Sequence, residues 1–313
     1  MKYAAVIAAA GLSSRMHEFK PMLCLGENTM IETVIQNFRN AGVEDIVVVA
    51  GYKADILTKH LEPLGVTVCN NTRYTETKMF DSLKMGLRVL NEEYDAVFLT
   101  PGDVPLVHLD TIRRMMAENA AIARPVHDGR LGHPVKIAGR LVPNLLAYPG
   151  ERGLLGAVES MGEPILDLQV DDVGAVMDAD TPEDFKALRR RDMELRSGGR
   201  LWPDIRVHIA KGDTILTPET AQFLEMVDHT GSIQNACACV HISYTKGWRM
   251  LNRMEKELGY PLLERQPGGA SGGGSILTDK GRQLLAAYQE YHRRLRQISQ
   301  QLFEELFPEQ LHQ

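Results

Sequence analysis

At 313 residues the chain is long for one compact core and predicts about two domains. Its 44% hydrophobic and 24% charged residues, with a net charge of −6, exclude a disordered chain, a membrane-spanning composition and a protein that coats nucleic acid along its whole length. Cys24, Cys69, Cys237 and Cys239 are too sparse for a disulfide framework, and the last pair has neither zinc nor redox spacing, so all four are expected as buried, reduced thiols.

The first element is the apolar run from Tyr3 to Ala10. Behind Lys2 it imitates a secretion signal, but it is short and runs on into a glycine-bearing loop, so it is read as a first strand of a cytoplasmic protein. Apolar runs then predict strands at 46–50, 66–69 and 96–100, alternating with amphipathic helices at 30–41, 53–61 and 79–90. That alternation is the pattern of an α/β, Rossmann-like, doubly wound and mostly parallel sheet with helices on both faces. Its ligands bind beyond the carboxyl ends of the strands, where the loops after Ala9 and after Thr100 both fall.

A last helix of this domain is expected to end at the solvated charges Arg189 to Arg191, and the domain is bounded at 1–196. The stretch from Ser197 to Pro203 then breaks all periodicity and marks a linker, 197–204. The second domain, 205–313, reads as a short strand at 205–209, a helix at 218–229, a turn at Thr230-Gly231, a short helix through Ala238 and a longer one from Ser243 to Leu258. A glycine-rich hairpin tip from Pro267 to Gly274 follows, and Thr278 caps a final helix running to about Phe307. On that helix Leu284, Leu285, Tyr288, Tyr291, Leu295, Ile298, Leu302 and Leu306 recur at helical spacing, a stripe that a second copy of the chain would cover.

Two groups of residues carry chemistry. In the loop after the first strand, the small residues Ala9, Ala10 and Gly11 let backbone approach phosphates, Gly11 permits a tight turn, Ser13 adds a hydroxyl, and Arg15 and Lys20 bring positive charge. Pro101-Gly102-Asp103-Val104-Pro105 places a carboxylate after an apolar strand, where a hard cation can be held against phosphates. The cluster Asp178, Asp180, Glu183 and Asp184 can supply a further ligand. Together these are the parts of a nucleotidyl transfer: cations, backbone donors and a metal-holding carboxylate. His133, in Gly132-His133-Pro134, is read as a surface turn, with a catalytic base or a face toward the acceptor as the alternatives.

Ala-Ala-Gly-x-x-x-Arg-Met-x-x-x-Lys, Gly-Asp-x-Pro and Asp-x-Asp-Thr-Pro-Glu-Asp, in this order, resemble the MobA-like NTP transferase family over about residues 1–196. The resemblance implies that Gly11, Arg15 and Lys20 bind the triphosphate, that Asp103 holds Mg²⁺ with Asp180 or Asp178, and that Ser82 lies near the nucleotide. The Ala-Ala-Gly opening is similar to the branch that makes molybdopterin cytosine dinucleotide from CTP, which implies CTP and a molybdopterin-type acceptor. Where the family often has glycine after Arg-Met, this chain has His17.

The second group is a helix, turn and helix from Thr230 to Arg249, whose second helix begins with polar and basic side chains suited to a major groove. From His241 to Arg296 there are ten Lys or Arg against five Asp or Glu, whereas 205–313 as a whole holds twelve of each. Positive charge is thus concentrated where phosphates would lie. Gly-Ser-Ile, Ile-Ser-Tyr-x-x-x-Trp, Leu-x-Glu-Arg and the glycine-rich run before Leu-Thr resemble the winged helix-turn-helix domain of ModE-like regulators over about residues 205–305. The resemblance implies that Ser243, Tyr244, Thr245, Lys246 and Arg249 face double-stranded DNA, that the glycine-rich tip is the wing, and that the last helix makes a homodimer. Trp248, Leu251, Met254 and Leu258 are expected in the core by their spacing. The whole then reads as a cytidylyltransferase fused to a DNA-binding domain. A transferase acting on another small phosphate, or a regulator whose nucleotide domain only senses its ligand, would share the same loops.

Overall fold

The computed structural model describes residues 1–11, 19–26, 28–90, 93–197, 203, 205–269 and 272–307. Ser13, Arg15 and His17 of the opening loop, and most of the 197–204 linker, lie outside them. The chain divides into two compact units, Met1–Asp192 and Met193–Gln313.

In the first unit the elements in chain order are β1 (Tyr3–Ala9), β2 (Cys24–Leu25), β3 (Asn28–Thr29), α1 (Met30–Ala41), β4 (Asp45–Ala50), α2 (Ala54–Leu61), β5 (Thr67–Asn70), α3 (Met79–Val89), β6 (Ala96–Pro101) and α4 (Leu109–Ala117). They continue with β7 (Ile122–His127), β8 (Arg130–Leu131), β9 (Val135–Ala138), α5 (Val142–Ala147), α6 (Gly153–Ser160), β10 (Ile165–Gln169) and α7 (Pro182–Ser197). The sheet runs in the order β10-β7-β9-β6-β1-β4-β5, with β8 paired to β7. β1 pairs parallel with both β4 and β6, β4 with β5, and β10 with β7, while β9 runs antiparallel to its neighbours β6 and β7. The expected doubly wound, mostly parallel sheet is therefore present, with β9 reversed inside it.

β1 sits centrally because Ala4, Ala5, Val6 and Ile7 are all fully buried, a continuous apolar run that packs on both faces. Val6 and Leu99 on one face meet Leu83 and Leu87 of α3. Gly86 of α3 permits that approach: an added Cβ would overlap Val6 Cγ1 and lie 2.9 Å from Val49 Cγ2. α1 starts with a reciprocal cap between Thr29 and Glu32 and stops at Gly42, which is left-handed at φ 94°.

The register brings Ala9 of β1 opposite Ala50 of β4, and Ala8 opposite Pro101 of β6. All these strands thus end together, and their loops share one edge of the sheet. Asp172, 1% exposed, ties the end of the loop after β6 to the segment after β10: it accepts hydrogen bonds from the His108 amide at 2.9 Å, Thr111 Oγ1 at 2.7 Å and the Gly174 amide at 3.0 Å.

Two expectations are corrected here. Arg189 to Arg191 do not end a helix, because α7 continues to Ser197 through Asp-Met-Glu-Leu-Arg, which contains no helix breaker. The strand expected at 205–209 is instead a hairpin of β11 (Ile209–Lys211) and β12 (Asp213–Leu216), turned at Gly212 with φ 77°.

The second unit continues with α8 (Pro218–Thr230), α9 (Ile233–Cys239), α10 (Tyr244–Leu258), β13 (Leu263–Gly269), β14 (Gly272–Leu277) and α11 (Asp279–Leu306). Gly231 closes α8 in a left-handed conformation, Ser232 caps α9 and Ser243 caps α10. The two helices pack closely because Gly247 has no side chain: a Cβ there would strike Cys237 Sγ and come within 3.2 Å of the Phe223 ring. Cys237 and Cys239 are thus packing residues of the unit. β13 and β14 form an antiparallel hairpin, fastened by the Ser275 amide to Gly231 O at 2.8 Å. No helix among the described residues is long and apolar enough to cross a membrane.

Candidate active site

A cleft opens at the carboxyl edge of the sheet. Its floor is the bare backbone of Ala8 to Gly11 and of Pro101 to Asp103, and its walls are Lys20 and Pro21 on one side and Tyr74, Thr77, Lys78, Met79 and Ser82 on the other. The two floor segments are joined by the Gly102 amide donating to Ala8 O at 2.8 Å. Gly102 is needed for that closeness, since a Cβ would lie 3.3 Å from both Ala8 O and Ala9 Cβ. Gly11 differs: it is not left-handed, and a Cβ there would meet no atom of the described residues within 4 Å. The turn expected at Gly11 runs on into residues 12–18, which lie outside the described ones.

Lys20 opens a short 3₁₀ turn, Lys20–Met22, anchored by buried Phe19, Pro21 and Met22. Its side chain is 12% exposed, and the ammonium donates to Asp180 Oδ1 at 2.8 Å and Asp103 Oδ2 at 3.3 Å. The Gly-Asp-x-Pro loop and the acidic cluster thus meet at one cation. Within that cluster Asp184 is otherwise engaged, its Oδ2 accepting from the Thr181 amide at 2.8 Å and from Thr181 Oγ1 at 2.7 Å to cap α7. Asp178 lies exposed at the rim. Its partial burial and the negative charges of Asp103, Asp180 and Asp184 push its carboxyl above the ordinary range, against the pull of Lys20.

Ser82 is buried, and its hydroxyl accepts from Asn71 Nδ2 at 3.1 Å; the same Asn71 amide donates to Thr77 Oγ1 at 2.8 Å. Asn71, fixed to the end of β4 by its own amide on Ala50 O at 2.8 Å, therefore shapes the wall. Asn71, Tyr74, Thr77 and Lys78 are not expected from the sequence, whereas Met79 belongs to the segment with Ser82 that the resemblance puts near the nucleotide. The available signal was a polar residue ending an apolar strand and a Thr-Lys-Met just before a helix. Gly51 lets this wall close: a Cβ there would lie 2.6 Å from Ala10 O and 2.7 Å from Tyr74 Cβ.

His133 is not the solvent-facing turn it resembles. Its Nδ1 is buried and has no hydrogen-bond partner among the described residues. Burial holds the imidazole below its ordinary range, and the charge of Asp103 opposes that shift.

In the second unit Ser243, Tyr244, Thr245, Lys246 and Arg249 are all exposed at the start of α10. Ser243 Oγ already accepts from the Lys246 amide at 3.2 Å as the helix cap, and Lys246 Nζ pairs with Glu219 at 2.6 Å. Leu251 and Met254 are buried as expected, whereas Trp248 and Leu258 are half-buried. Along α11 the first part of the stripe, Leu285 and Tyr288, is buried, but Tyr291, Ile298, Leu302 and Leu306 are at least 50% exposed.

Comparison with known proteins follows this division. Residues 5–165 match the MobA-like NTP transferase domain, and residues 219–282 match the bacterial regulatory helix-turn-helix proteins of the lysR family. The chain is 28% identical over 192 residues to the molybdenum cofactor cytidylyltransferase of Escherichia coli, covering 61% of this chain and 97% of that protein. It is 36% identical over 95 residues to the molybdenum transport protein ModE of Azotobacter vinelandii, covering 29% of this chain and 35% of that protein. The chain thus spans about a third of the length of that regulator. A solved nucleotidyl transferase from Methanothermobacter shares the fold with a TM-score of 0.55 at 22% identity, covering 62% of this chain and 99% of that one.

Proposed function

Because the chain belongs to the MobA-like NTP transferase family, we propose that its first unit transfers a cytidylyl group from CTP to molybdopterin, and that its second unit binds double-stranded DNA. The observation that carries the transferase reading is the convergence of Lys20, Asp103 and Asp180 at the mouth of a cleft floored by bare backbone. Cytidine is favoured by the Ala8-Ala9-Ala10-Gly11 opening and by similarity along nearly the whole of a molybdenum cofactor cytidylyltransferase. The independent similarity of the second unit to ModE favours a molybdenum-related acceptor.

The donor set suits Mg²⁺. Asp103 and Asp180 offer hard oxygens to a single cation position, which the Lys20 ammonium takes in this structure. No three His, Cys, Asp or Glu side chains converge among the described residues, so triphosphate oxygens and water would supply the remaining ligands. When bound, Mg²⁺ neutralises phosphate charge and polarises the reacting phosphorus.

The chain's own groups supply the rest. Ala9, Ala10 and Gly11 bring main chain against the phosphates and Gly102 keeps the two loops in contact, while Ser13 and Arg15, outside the described residues, are assigned to the triphosphate by the loop's sequence and the family resemblance. Lys20, exchanging its carboxylates for phosphate, neutralises the leaving pyrophosphate, with Arg15 as a second cation. Ser82 fixes the nucleotide wall through Asn71. An oxygen of the acceptor phosphate forms a bond to the α-phosphorus as the bond from that phosphorus to the β-bridging oxygen breaks. That electron pair departs with pyrophosphate.

In the second unit, Tyr244, Thr245, Lys246 and Arg249 lie in the major groove, and Ser243 orients the helix that carries them. The exposed face of α11 pairs with a second copy of the chain. Purified protein mixed with each of the four NTPs, Mg²⁺ and molybdopterin should release pyrophosphate fastest with CTP. Absence of release with every NTP would overturn the enzyme reading.

A further inference from the structure

β9 begins at Val135, which pairs with Leu99 in antiparallel register, so the preceding turn, Gly132-His133-Pro134, flanks the carboxyl end of β6 from which Asp103 emerges. The turn is held from both sides: the Gly132 amide donates to Pro125 O at 2.8 Å and the His133 amide to Ala175 O at 2.8 Å. It is also closely packed, since a Cβ on Gly132 would lie 2.6 Å from Ala175 O. The same 173–180 stretch leads directly to Asp180. His133 is therefore fixed to strand β7 and to the stretch that leads to Asp180, beside the strand end from which Asp103 emerges.

Its side chain has one nitrogen, Nδ1, that is buried and without a partner among the described residues. Buried donors and acceptors are nearly always paired, so this nitrogen calls for a partner that the described residues do not supply. The sheet order decides which ligand. The β1 loop and α3, which line the nucleotide cleft, lie on one side of β6, and β9 lies on the other. In-line displacement requires the attacking group to approach opposite the leaving pyrophosphate. With the triphosphate along the β1 side, the nucleophile comes from the β9 side.

We infer that His133 holds the acceptor, its Nδ1–H donating to a non-bridging oxygen of the acceptor phosphate and so aiming a second oxygen at the α-phosphorus. This rests on the transferase reading above. The role is one of positioning: the phosphate supplies its own electron pair, and no proton moves to or from the imidazole.

Steady-state kinetics and equilibrium dialysis with molybdopterin test this. His133→Ala should raise both the KM and the dissociation constant for molybdopterin by about tenfold or more, leaving the KM for CTP within about twofold. His133→Asn, whose amide reaches the place of Nδ1, should restore most of the acceptor affinity. His133→Gln, which reaches the place of Nε2, should not. An unchanged KM for molybdopterin in His133→Ala, an equal rise for both substrates, or equal behaviour of the Asn and Gln variants would overturn the assignment. Wild-type protein that turns over no NTP with molybdopterin defeats the transferase reading itself and this role with it.

Discussion

Lys20 and Asp180, 160 positions apart in the chain, meet at 2.8 Å, and Asp103 joins the same ammonium at 3.3 Å. One lysine thus occupies the position that two carboxylates offer to a cation. Replacing Asp103 by Asn preserves shape and removes half of that charge. Turnover of Asp103→Asn in the pyrophosphate assay should fall by about tenfold or more, with a higher Mg²⁺ requirement. Wild-type rates at low Mg²⁺ would mean that the ion is held elsewhere.

The rim carboxylate Asp178 gives a stability prediction with a definite sign. Partial burial and three neighbouring carboxylates raise its folded pKa above the ordinary 3.8. The charged form is therefore disfavoured in the fold, and the stability available with the proton bound is lost as pH rises through the raised value. Asp178→Asn, a permanent mimic of the protonated form, should be more stable than wild type at neutral pH without added metal. That advantage should vanish below about pH 4, where wild type is itself protonated. Thermal melts across this range decide the matter; an advantage independent of pH would show that charge is not its cause.

Asp172 carries the geometry of the site at a distance. Asp172→Ala would leave the His108 amide, Thr111 Oγ1 and the Gly174 amide without their shared acceptor. Such losses at a buried charged acceptor cost about 2–4 kcal/mol. Denaturant unfolding at neutral pH should show that loss, and turnover should fall as the Asp103 and Asp180 loops separate. A change under about 0.5 kcal/mol would show that water replaces the carboxylate.

Much of this was legible in the sequence where local pattern and tertiary role agree. The buried run Tyr3–Ala9, the capped helix Met30–Ala41 and the Ser232 and Ser243 caps all state their structure in a few residues. Between Leu109 and Gln169 pattern and role diverge. Pro125 sits within strand β7, and Lys136 is buried in β9, its ammonium donating to Met115 O at 2.7 Å and Glu118 O at 2.5 Å to close the end of α4. A proline and a lysine argue against a strand locally; only the folded neighbours make them fit. His133 was misread for the same reason. A His-Pro turn reads as surface, but this one is tied by its amide to Ala175, far along the chain.

The last prediction concerns the second unit. Lys246 and Glu219 are each 48% exposed and joined at 2.6 Å, so a lysine proposed to face DNA, where its charge can meet a phosphate at the groove edge, is paired with a carboxylate in the free protein. DNA binding must exchange that partner for phosphate. An exposed pair of this kind is weak, so releasing it changes affinity modestly. Glu219→Gln should therefore tighten duplex binding by about two- to fivefold at low salt, with the gain fading as salt screens the pair. Lys246→Ala should weaken binding and reduce the slope of log affinity against log salt by about one, the signature of one lost phosphate contact. In Lys246→Ala the further change Glu219→Gln should add little beyond removing one repulsive charge, because the competing pair no longer exists. Full additivity of the two substitutions would show that Glu219 acts through the general field of the domain and not through Lys246.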